Sequence, residues 1–279
     1  MFNAATKTIA GALLAVLVAC SGDSEKKLAQ DLYDQAAEAV ETARYSSAVM
    51  LLDSLKSTYP RQIEIRRRAL HLTARANEGL ALKHLESADS TLAVISAETE
   101  AMKDRIKMVE NPVENYYVAA TSNPGNFIGT DGLQARLSPD GQLYLISSLG
   151  SRKVKSTSVA VECAGERAVT ATVAHDGERN DRSMGPEVIT FMGVECDSVA
   201  NFIASHEGEP ITLTFIGDKS YSMKLPSGQA EEIATVTRYA TLLRRGRAAV
   251  LEKEKQQRIL DTARSQAART FTEETTSEK

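Results

Sequence analysis

Tryptophan is absent from this 279-residue chain, and aromatic residues make up only 5% of it. Carbohydrate-binding surfaces usually rely on exposed aromatic rings, so this composition argues against a sugar-stacking platform. The chain has 33 basic and 37 acidic residues, which gives a formal net charge of −4. A mildly acidic chain lacks the basic surface that binds a phosphate backbone, so we expect no nucleic-acid partner.

The familiar catalytic and metal-binding motifs are also missing. The sequence contains no P-loop, no H-E-x-x-H zinc motif and no G-x-S-x-G nucleophile elbow. Its three cysteines are Cys20, Cys163 and Cys196, and the last two have no nearby histidine at the spacing of a common zinc site. We therefore expect no catalytic residues, no metal ligands and no cofactor, and we predict that the protein is not an enzyme.

The N-terminus has the layout of a secretory signal peptide over residues 1–19. Lys7 supplies a positive charge, residues 9–19 form an apolar run, and small residues precede Cys20. The apolar run is shorter than the roughly 20 residues that span a bilayer. We therefore expect this segment to be removed and residues 20–279 to remain.

The residues at the expected cleavage point, Leu17-Val18-Ala19-Cys20, resemble a bacterial lipobox. In such a motif the cysteine sulfur carries a diacylglyceryl group and the new N-terminus carries a fatty acid such as palmitate, so several acyl chains hold the protein on a membrane. The resemblance implies lipidation of Cys20. Because Ser21 replaces the aspartate of inner-membrane lipoproteins, it also implies the outer membrane, in either the periplasmic or the surface-facing leaflet. An ordinary signal peptide is the alternative.

Residues 27–110 are predicted to be helical, after a short linker at residues 20–26. Residues 32–60 have small side chains where two helices would cross, a break near Ala43 and a terminator at Pro60, and they resemble one tetratricopeptide-like helical hairpin. A single hairpin leaves one apolar face uncovered. We expect the next helix to cover that face, because no second copy of the motif follows.

A stripe of small and apolar residues continues along this next helix in steps of three and four, which is typical of a coiled coil. The stripe consists of Ala81, Leu85, Ala88, Leu92, Ile95, Thr99, Met102, Ile106 and Val109. A similar stripe in residues 229–270 consists of Ile233, Val236, Ala240, Leu243 and Val250. We predict that the C-terminal helix packs back on the long helix through these stripes. Homodimerisation through either stripe is the alternative, and residues 271–279 are expected to be a disordered tail.

The central residues 111–228 are predicted to form an antiparallel β domain. Short runs rich in valine, threonine, isoleucine and tyrosine alternate with turn-forming clusters, two of which, at residues 139–141 and 217–219, signal hairpins. The runs are YYVAAT, LQARLS, QLYLISSL, SVAVEC, AVTATVAH, EVITFM, PITLTFI and YSMKL. The predicted fold class is therefore α+β. We expect residues 112–228 to fold alone; a sheet that needs the helices to cover one face is the alternative.

The densest polar cluster of the β domain lies at residues 175–185. His175, Asp176, Glu178 and Asp181 in this cluster are candidates to hold a cation or to act as acid and base. A solvated hairpin loop is the alternative, because loops are polar for reasons unrelated to catalysis.

Two further pairs of residues are candidate sites. Phe127 and Ile128 lie in a glycine-rich loop, where they either form a contact surface or fold back as a plug. Cys163 and Cys196 either form a disulfide, which an exported protein can retain, or remain as two buried thiols.

Several strings together resemble envelope lipoproteins of Bacteroidota. They are the lipobox, LLDSLKSTYPRQIEIRRRAL, ALKHLESADSTLAVI and the YYVAATS that opens the β domain. The resemblance implies an anchored envelope protein and brings no catalytic residues with it. The sequence thus predicts a non-enzymatic scaffold or binding module, whose helical stalk presents the β domain to a macromolecular partner such as an envelope protein or a glycan. An envelope enzyme or cation-binding protein with its site at His175–Asp181 is the alternative.

Overall fold

The structure is a computed structural model that describes the backbone of residues 22–277 and the side chains of residues 23–270. The described chain contains five α-helices: α1 (Gly22–Glu41), α2 (Tyr45–Thr58), α3 (Ile63–Ala101), α4 (Asp197–Ser205) and α5 (Ser227–Ser277). The predicted signal peptide and the lipidation site Cys20 lie outside the described residues. Within these residues, no helix has both the length and the apolar character that crossing a bilayer requires.

Ten strands of the described chain form two antiparallel sheets. One sheet consists of β1 (Ile106–Val109), β2 (Tyr116–Ala119), β3 (Gly132–Leu137), β4 (Leu143–Leu149), β7 (Asn180–Asp181) and β8 (Glu187–Met192), in the order β1-β2-β3-β4-β8-β7. The other consists of β5 (Ser158–Cys163), β6 (Glu166–Val169), β9 (Thr212–Ile216) and β10 (Ser220–Lys224), in the order β10-β9-β5-β6. The predicted α+β class is confirmed, and the two turn signals join β3 to β4 and β9 to β10 as expected.

The chain divides into two compact units, which are described separately. The helical unit contains residues up to 86 and residues from 254 onward, and the β unit contains residues 87–253. The long helices α3 and α5 therefore contribute residues to both units.

The helical unit begins with the predicted hairpin of α1 and α2. Its turn is a Schellman motif, in which Ala43 adopts a left-handed φ of 55°. The backbone N–H of Arg44 donates to the carbonyl of Ala39 at 2.7 Å, and that of Ala43 donates to the carbonyl of Val40 at 3.0 Å. The break predicted near Ala43 is thus confirmed, and these bonds satisfy two carbonyls that the end of α1 would otherwise leave unpaired.

The first turns of α3 cover the open face of this hairpin. Ile65, Ala69 and Leu72 of α3 are buried in one cluster with apolar residues of α1 and α2. A Cβ atom added at Gly79 would lie 2.3 Å from the ring of Tyr45, so only glycine lets the ring sit this close to α3. The predicted cover by the next helix is confirmed.

The helices α3 and α5 run antiparallel, as predicted. In the helical unit Arg264 pairs with Glu78 at 2.9 Å. In the β unit Lys253 pairs with Asp89 at 2.6 Å, and Arg245 pairs with Glu98 at 3.3 Å. In the β unit, rising residue numbers on α5 thus meet falling numbers on α3, so the C-terminal helix packs back on the long helix.

The stripe predicted on α5 is wrong in its register. Val250 is 43% exposed, whereas Ile233, Val236 and Ala240 are fully buried in the core of the sheets. The face that meets α3 is instead the one with Leu242, Gly246 and Ala249, because a Cβ atom at Gly246 would lie 3.5 Å from Ile95. The first half of α5 has two apolar faces, one for each neighbour, and the predicted stripe followed the face that packs on the sheets.

The long helix also ends earlier than predicted. It stops at Ala101, and the residues Ile106–Val109 form the edge strand β1 instead of a further helical turn. Ile106 pairs with Ala119 and Val109 with Tyr116. Short β-branched runs fit both periodicities, and pairing with β2 gives this run backbone hydrogen bonds that decide between them.

Helix boundaries at the two ends of the chain also differ from those expected. The helix α1 begins at Gly22, within the segment expected to be a linker. The helix α5 continues to Ser277, within the segment expected to be a disordered tail. Adding residues to an existing helix is much easier than starting one, which explains why both helices extend past the apolar pattern.

The core of the β unit includes residues outside the predicted boundaries of 111–228. Residues from both sheets, from α4 and from the first turns of α5 form one buried cluster, to which α5 contributes Ala230, Ile233, Val236 and Ala240. The run AVTATVAH forms a strand only as far as Val169. The helix α5 therefore belongs to the core of the β unit, which is the arrangement that the alternative interpretation describes.

A buried carboxylate, that of Glu187, holds the loop after β4 against the sheet. It accepts hydrogen bonds from the backbone N–H groups of Val154 at 3.1 Å, Lys155 at 2.8 Å and Ser156 at 2.8 Å. The hydroxyl of Ser156 donates a fourth bond at 2.8 Å. Burial raises the pKa of Glu187, but the hydrogen bonds from Ser156 and Lys155 outweigh burial, so the net shift of this pKa is downward.

Candidate functional site

The predicted polar site at His175–Asp181 is a set of local loop contacts. Asp176 accepts backbone N–H bonds from Glu178 at 2.9 Å, Arg179 at 2.8 Å and Asn180 at 3.0 Å. These bonds lower the pKa of Asp176 and keep it ionised. Such a carboxylate is poorly suited to donate a proton near neutral pH.

Asp181 and His175 of this cluster also make local hydrogen bonds. Asp181 accepts bonds from the N–H and the hydroxyl of Ser183, at 2.8 and 3.0 Å, and these bonds lower its pKa. A ring nitrogen of His175 bonds to the carbonyl of Asn180 at 2.8 Å. The structure therefore does not bring His175, Asp176, Glu178 and Asp181 together around a shared point, and it favours the solvated-loop interpretation.

The structure separates the two residues of the predicted contact loop. Phe127 folds back and is only 6% exposed, whereas Ile128 is 52% exposed. Hydrogen bonds hold the loop on both sides of Ile128: the N–H of Gly129 donates to the hydroxyl of Ser148 at 3.3 Å, and the hydroxyl of Thr130 donates to the carbonyl of Phe127 at 2.6 Å. Ile128 is thus an apolar side chain presented by an ordered loop.

The two cysteines of the β unit are free, buried thiols and do not form the disulfide that was one alternative. The thiol of Cys196 lies 3.3 Å from the carbonyl of Gly193, and burial raises its pKa to about 12. The thiol of Cys163 lies 3.5 Å from a carboxylate oxygen of Glu209. The two cysteines lie on different elements, because Cys163 is the last residue of β5 and Cys196 directly precedes α4. Each sulfur therefore has its own polar partner.

The contact between Cys163 and Glu209 belongs to a cluster that the sequence did not predict. Cys163, His206 and Glu209 each offer one potential metal-ligating atom, and these atoms lie within 4.8 Å of one another. Among the described residues, this is the one such group with three or more members. A carboxylate oxygen of Glu166 lies 3.8 Å from Nε2 of His206, at the edge of the cluster.

Two turns of the β unit position these side chains. Cys163 and Glu166 are directly paired residues of β5 and β6, joined by Ala164 and Gly165 with φ values of 50° and 86°. These φ values are those of a type I′ hairpin turn. His206 follows the last turn of α4, and a turn with Gly208 at a φ of 87° leads to Glu209.

The helix α4 and its own backbone fix the ring of His206. The ring stacks on Phe202 with a centroid distance of 4.2 Å, and its Nδ1 lies 2.9 Å from the carbonyl oxygen of Phe202. Because a carbonyl only accepts hydrogen bonds, Nδ1 is the donor in this contact, and Nε2 is the ring nitrogen that faces Glu166. The hydroxyl of Ser205 lies 3.1 Å from the same Nδ1.

The charges around Cys163 favour its protonated thiol. Burial raises the pKa of Cys163, and the hydrogen bond to Glu209 together with the negative charges of Glu209 and Glu166 raises it further. A thiol that donates to one carboxylate and lies near a second is not an activated nucleophile. The same four side chains carry sulfur, nitrogen and oxygen atoms of the kinds that ligate divalent transition metals.

The sequence does contain a local signal for this cluster. Its residues come from two four-residue strings, Cys-Ala-Gly-Glu at 163–166 and His-Glu-Gly-Glu at 206–209, which both place two potential ligands across a glycine-containing turn. About 40 residues separate the two strings, so only the fold shows that they meet.

Comparison of the chain with protein-family models, with curated proteins and with solved structures finds no significant match.

Proposed function

We propose that this protein is a lipid-anchored protein of the bacterial outer membrane and acts as a non-enzymatic binding module. The observation that carries the proposal is the lipobox ending at Cys20, because the cysteine of this motif is the residue that receives the lipid. The resemblance to envelope lipoproteins of Bacteroidota supports the same localisation.

The position of α1 in the sequence supports an anchoring role for this cysteine. The helix α1 begins at Gly22, directly after the lipobox. A lipid on Cys20 would therefore hold a folded helix close to the membrane surface, without a long intervening linker. Several acyl chains make such an attachment effectively permanent.

The contacts inside the β unit support a binding role. The carboxylates of Asp176 and Asp181 are engaged in loop hydrogen bonds, whereas Ile128 is an exposed apolar side chain on an ordered loop. Single exposed apolar side chains are common on protein surfaces, so the support for a contact here is the fixed position of Ile128 on its ordered loop. A protein of the envelope at the membrane is the partner that this account predicts.

Photo-crosslinking in intact cells tests the proposal. A photoreactive amino acid is placed at Ile128, and the matched control carries the same group at Met184, which is 79% exposed in another loop. We expect a discrete crosslinked product from position 128 and little from position 184. We also expect Cys20→Ala to abolish the product, because the partner lies at the membrane.

Equal crosslinking from positions 128 and 184 would contradict a contact surface at the Ile128 loop. A product that persists unchanged after Cys20→Ala would contradict a partner that is reached through the anchor. Mass spectrometry of the product identifies the partner.

A further inference from the structure

We infer that Cys163, Glu166, His206 and Glu209 form a binding site for a divalent transition-metal ion of the zinc type. The site lies in the β unit, between the β5–β6 turn and the end of α4. This inference goes beyond the proposed anchoring and partner binding, and it does not depend on either of them.

The donor atoms define the class of metal. A thiolate, an imidazole and carboxylates are the ligands of Zn²⁺ and of Co²⁺, its usual spectroscopic substitute, whereas Ca²⁺ and Mg²⁺ prefer sites built entirely of oxygen. One potential ligand atom from each of three side chains, those of Cys163, His206 and Glu209, lies within 4.8 Å of the other two. The fourth, Glu166, lies directly opposite Cys163 across the hairpin turn.

The distances are close to those of a tetrahedral site. With Zn–S near 2.3 Å and Zn–O near 2.0 Å, tetrahedral geometry requires a separation of about 3.5 Å between a sulfur and an oxygen ligand. The sulfur of Cys163 and the carboxylate oxygen of Glu209 are 3.5 Å apart. Nε2 of His206 is 3.8 Å from a carboxylate oxygen of Glu166, which is close to the roughly 3.3 Å that two ligands of one tetrahedral ion require.

The orientation of His206 is that of a metal-ligating histidine. Such histidines usually donate one ring N–H to a backbone carbonyl or carboxylate, which directs the other nitrogen at the metal. In this structure Nδ1 bonds to the carbonyl of Phe202 at 2.9 Å, and Nε2 is directed toward Glu166. The stacking on Phe202 removes the ring's rotational freedom before any metal binds.

The role of the metal follows from the elements that it would connect. Cys163 ends β5, Glu166 begins β6, and His206 follows α4, whose residues Val199 and Ile203 are buried in the core. With four protein ligands the site is closed, which is typical of structural rather than catalytic zinc. The ion would therefore fix the end of α4 to the edge of the four-stranded sheet.

Cobalt titration tests this inference. The protein is the chain from residue 20 onward with Cys20→Ala and no affinity tag, so that Cys163 and Cys196 are the only thiols. We expect Co²⁺ to produce a thiolate-to-cobalt charge-transfer band that saturates at one equivalent, and Zn²⁺ to abolish the band by displacement. We also expect Zn²⁺ to raise the thermal unfolding temperature.

Matched variants separate this site from adventitious binding. Cys163→Ser should abolish the charge-transfer band, whereas Cys196→Ala, which removes the other buried thiol, should retain it. Glu209→Gln changes an exposed side chain and should fold normally, but it should weaken Zn²⁺ binding at least tenfold and remove most of the thermal shift. His206→Gln should have the same effect, and Glu166→Gln should weaken binding several-fold.

Three results would overturn the inference. They are the absence of a charge-transfer band in the folded protein, a band that survives Cys163→Ser, and Zn²⁺ affinity that is unchanged in both Glu209→Gln and His206→Gln. The two polar variants keep the test decisive even where Cys163→Ser does not fold. Unchanged affinity in Glu166→Gln alone would overturn the assignment of Glu166 as a ligand.

Discussion

Replacement of Glu187 by alanine is expected to destabilise the chain by about 4 kcal/mol, a large share of the 5–15 kcal/mol by which folded domains are typically stable. The carboxylate of Glu187 is the acceptor for three backbone N–H groups and one hydroxyl, most of them buried. Removing the acceptor leaves these donors unsatisfied, and each buried donor without a partner costs about 1–3 kcal/mol. Urea denaturation, read as a shift of the midpoint at constant slope, measures the loss.

Glu187 is also expected to make stability depend on pH in the acid range. Its pKa in the folded chain lies below the ordinary value of 4.5, so the ionised form is favoured by folding. The resulting stabilisation is fully present above pH 4.5 and is lost as the pH falls through the lower, folded-state pKa. We expect Glu187→Gln to be less stable than wild type at neutral pH and to lose less stability on acidification.

Glu178→Gln is the matched control for Glu187→Gln, because it removes the same charge at an exposed position. We expect this control to change stability by no more than about 0.5 kcal/mol. If Glu187→Gln and Glu178→Gln had equal stability at every pH, the carboxylate of Glu187 would not hold the loop as described.

The second large effect concerns the boundaries of the β unit. We expect a fragment of residues 87–253 to unfold cooperatively and a fragment of residues 112–228 to be insoluble or molten. The shorter fragment lacks the part of α5 that carries Ile233, Val236 and Ala240, each 0% exposed in the core. Each buried large aliphatic side chain contributes about 1.5–3 kcal/mol, and its loss also exposes the face of the sheet that it covers.

Near-ultraviolet circular dichroism and thermal unfolding of the two fragments measure this difference. In the intact chain, Ile233→Asp should cost about 4 kcal/mol, because it removes a buried side chain and buries a charge. Val250→Asp on the same helix should be nearly neutral, since Val250 is 43% exposed. Cooperative unfolding of residues 112–228 alone would show instead that the sheets have a core independent of α5.

The sequence predicts local and strongly periodic features of this fold well. The hairpin break at Ala43 and the turn between β3 and β4 follow from short-range preferences that the structure keeps. Such features depend on neighbouring residues, so one sequence suffices to find them.

Features that depend on competition between partners are not predictable in this way. The first half of α5 meets both α3 and the sheets, and periodicity alone does not say that Val250 is exposed while Leu242 is buried. In the same way, Ile106–Val109 fits either a helix or a strand until its pairing with β2 is known.

The candidate metal site cannot be predicted from the sequence for a related reason. Common zinc motifs place all ligands at short, recognisable spacings. Here Cys163 and His206 belong to different turns, and the antiparallel pairing of β5 with β6 and the packing of α4 bring them together. The role of Glu187 is equally unpredictable, because a glutamate in a strand gives no sign in the sequence that backbone N–H groups will surround it.

Metabolic labelling with palmitate, followed by membrane fractionation, tests the proposed anchor most directly. We expect the full-length chain to incorporate the label and to stay with the membranes after a carbonate wash, and Ser21→Ala, a control next to the cysteine, to behave in the same way. Cys20→Ala should incorporate no label and should appear in the soluble fraction. Unlabelled wild-type protein, or Cys20→Ala protein that still sediments with washed membranes, would contradict a lipid anchor at Cys20.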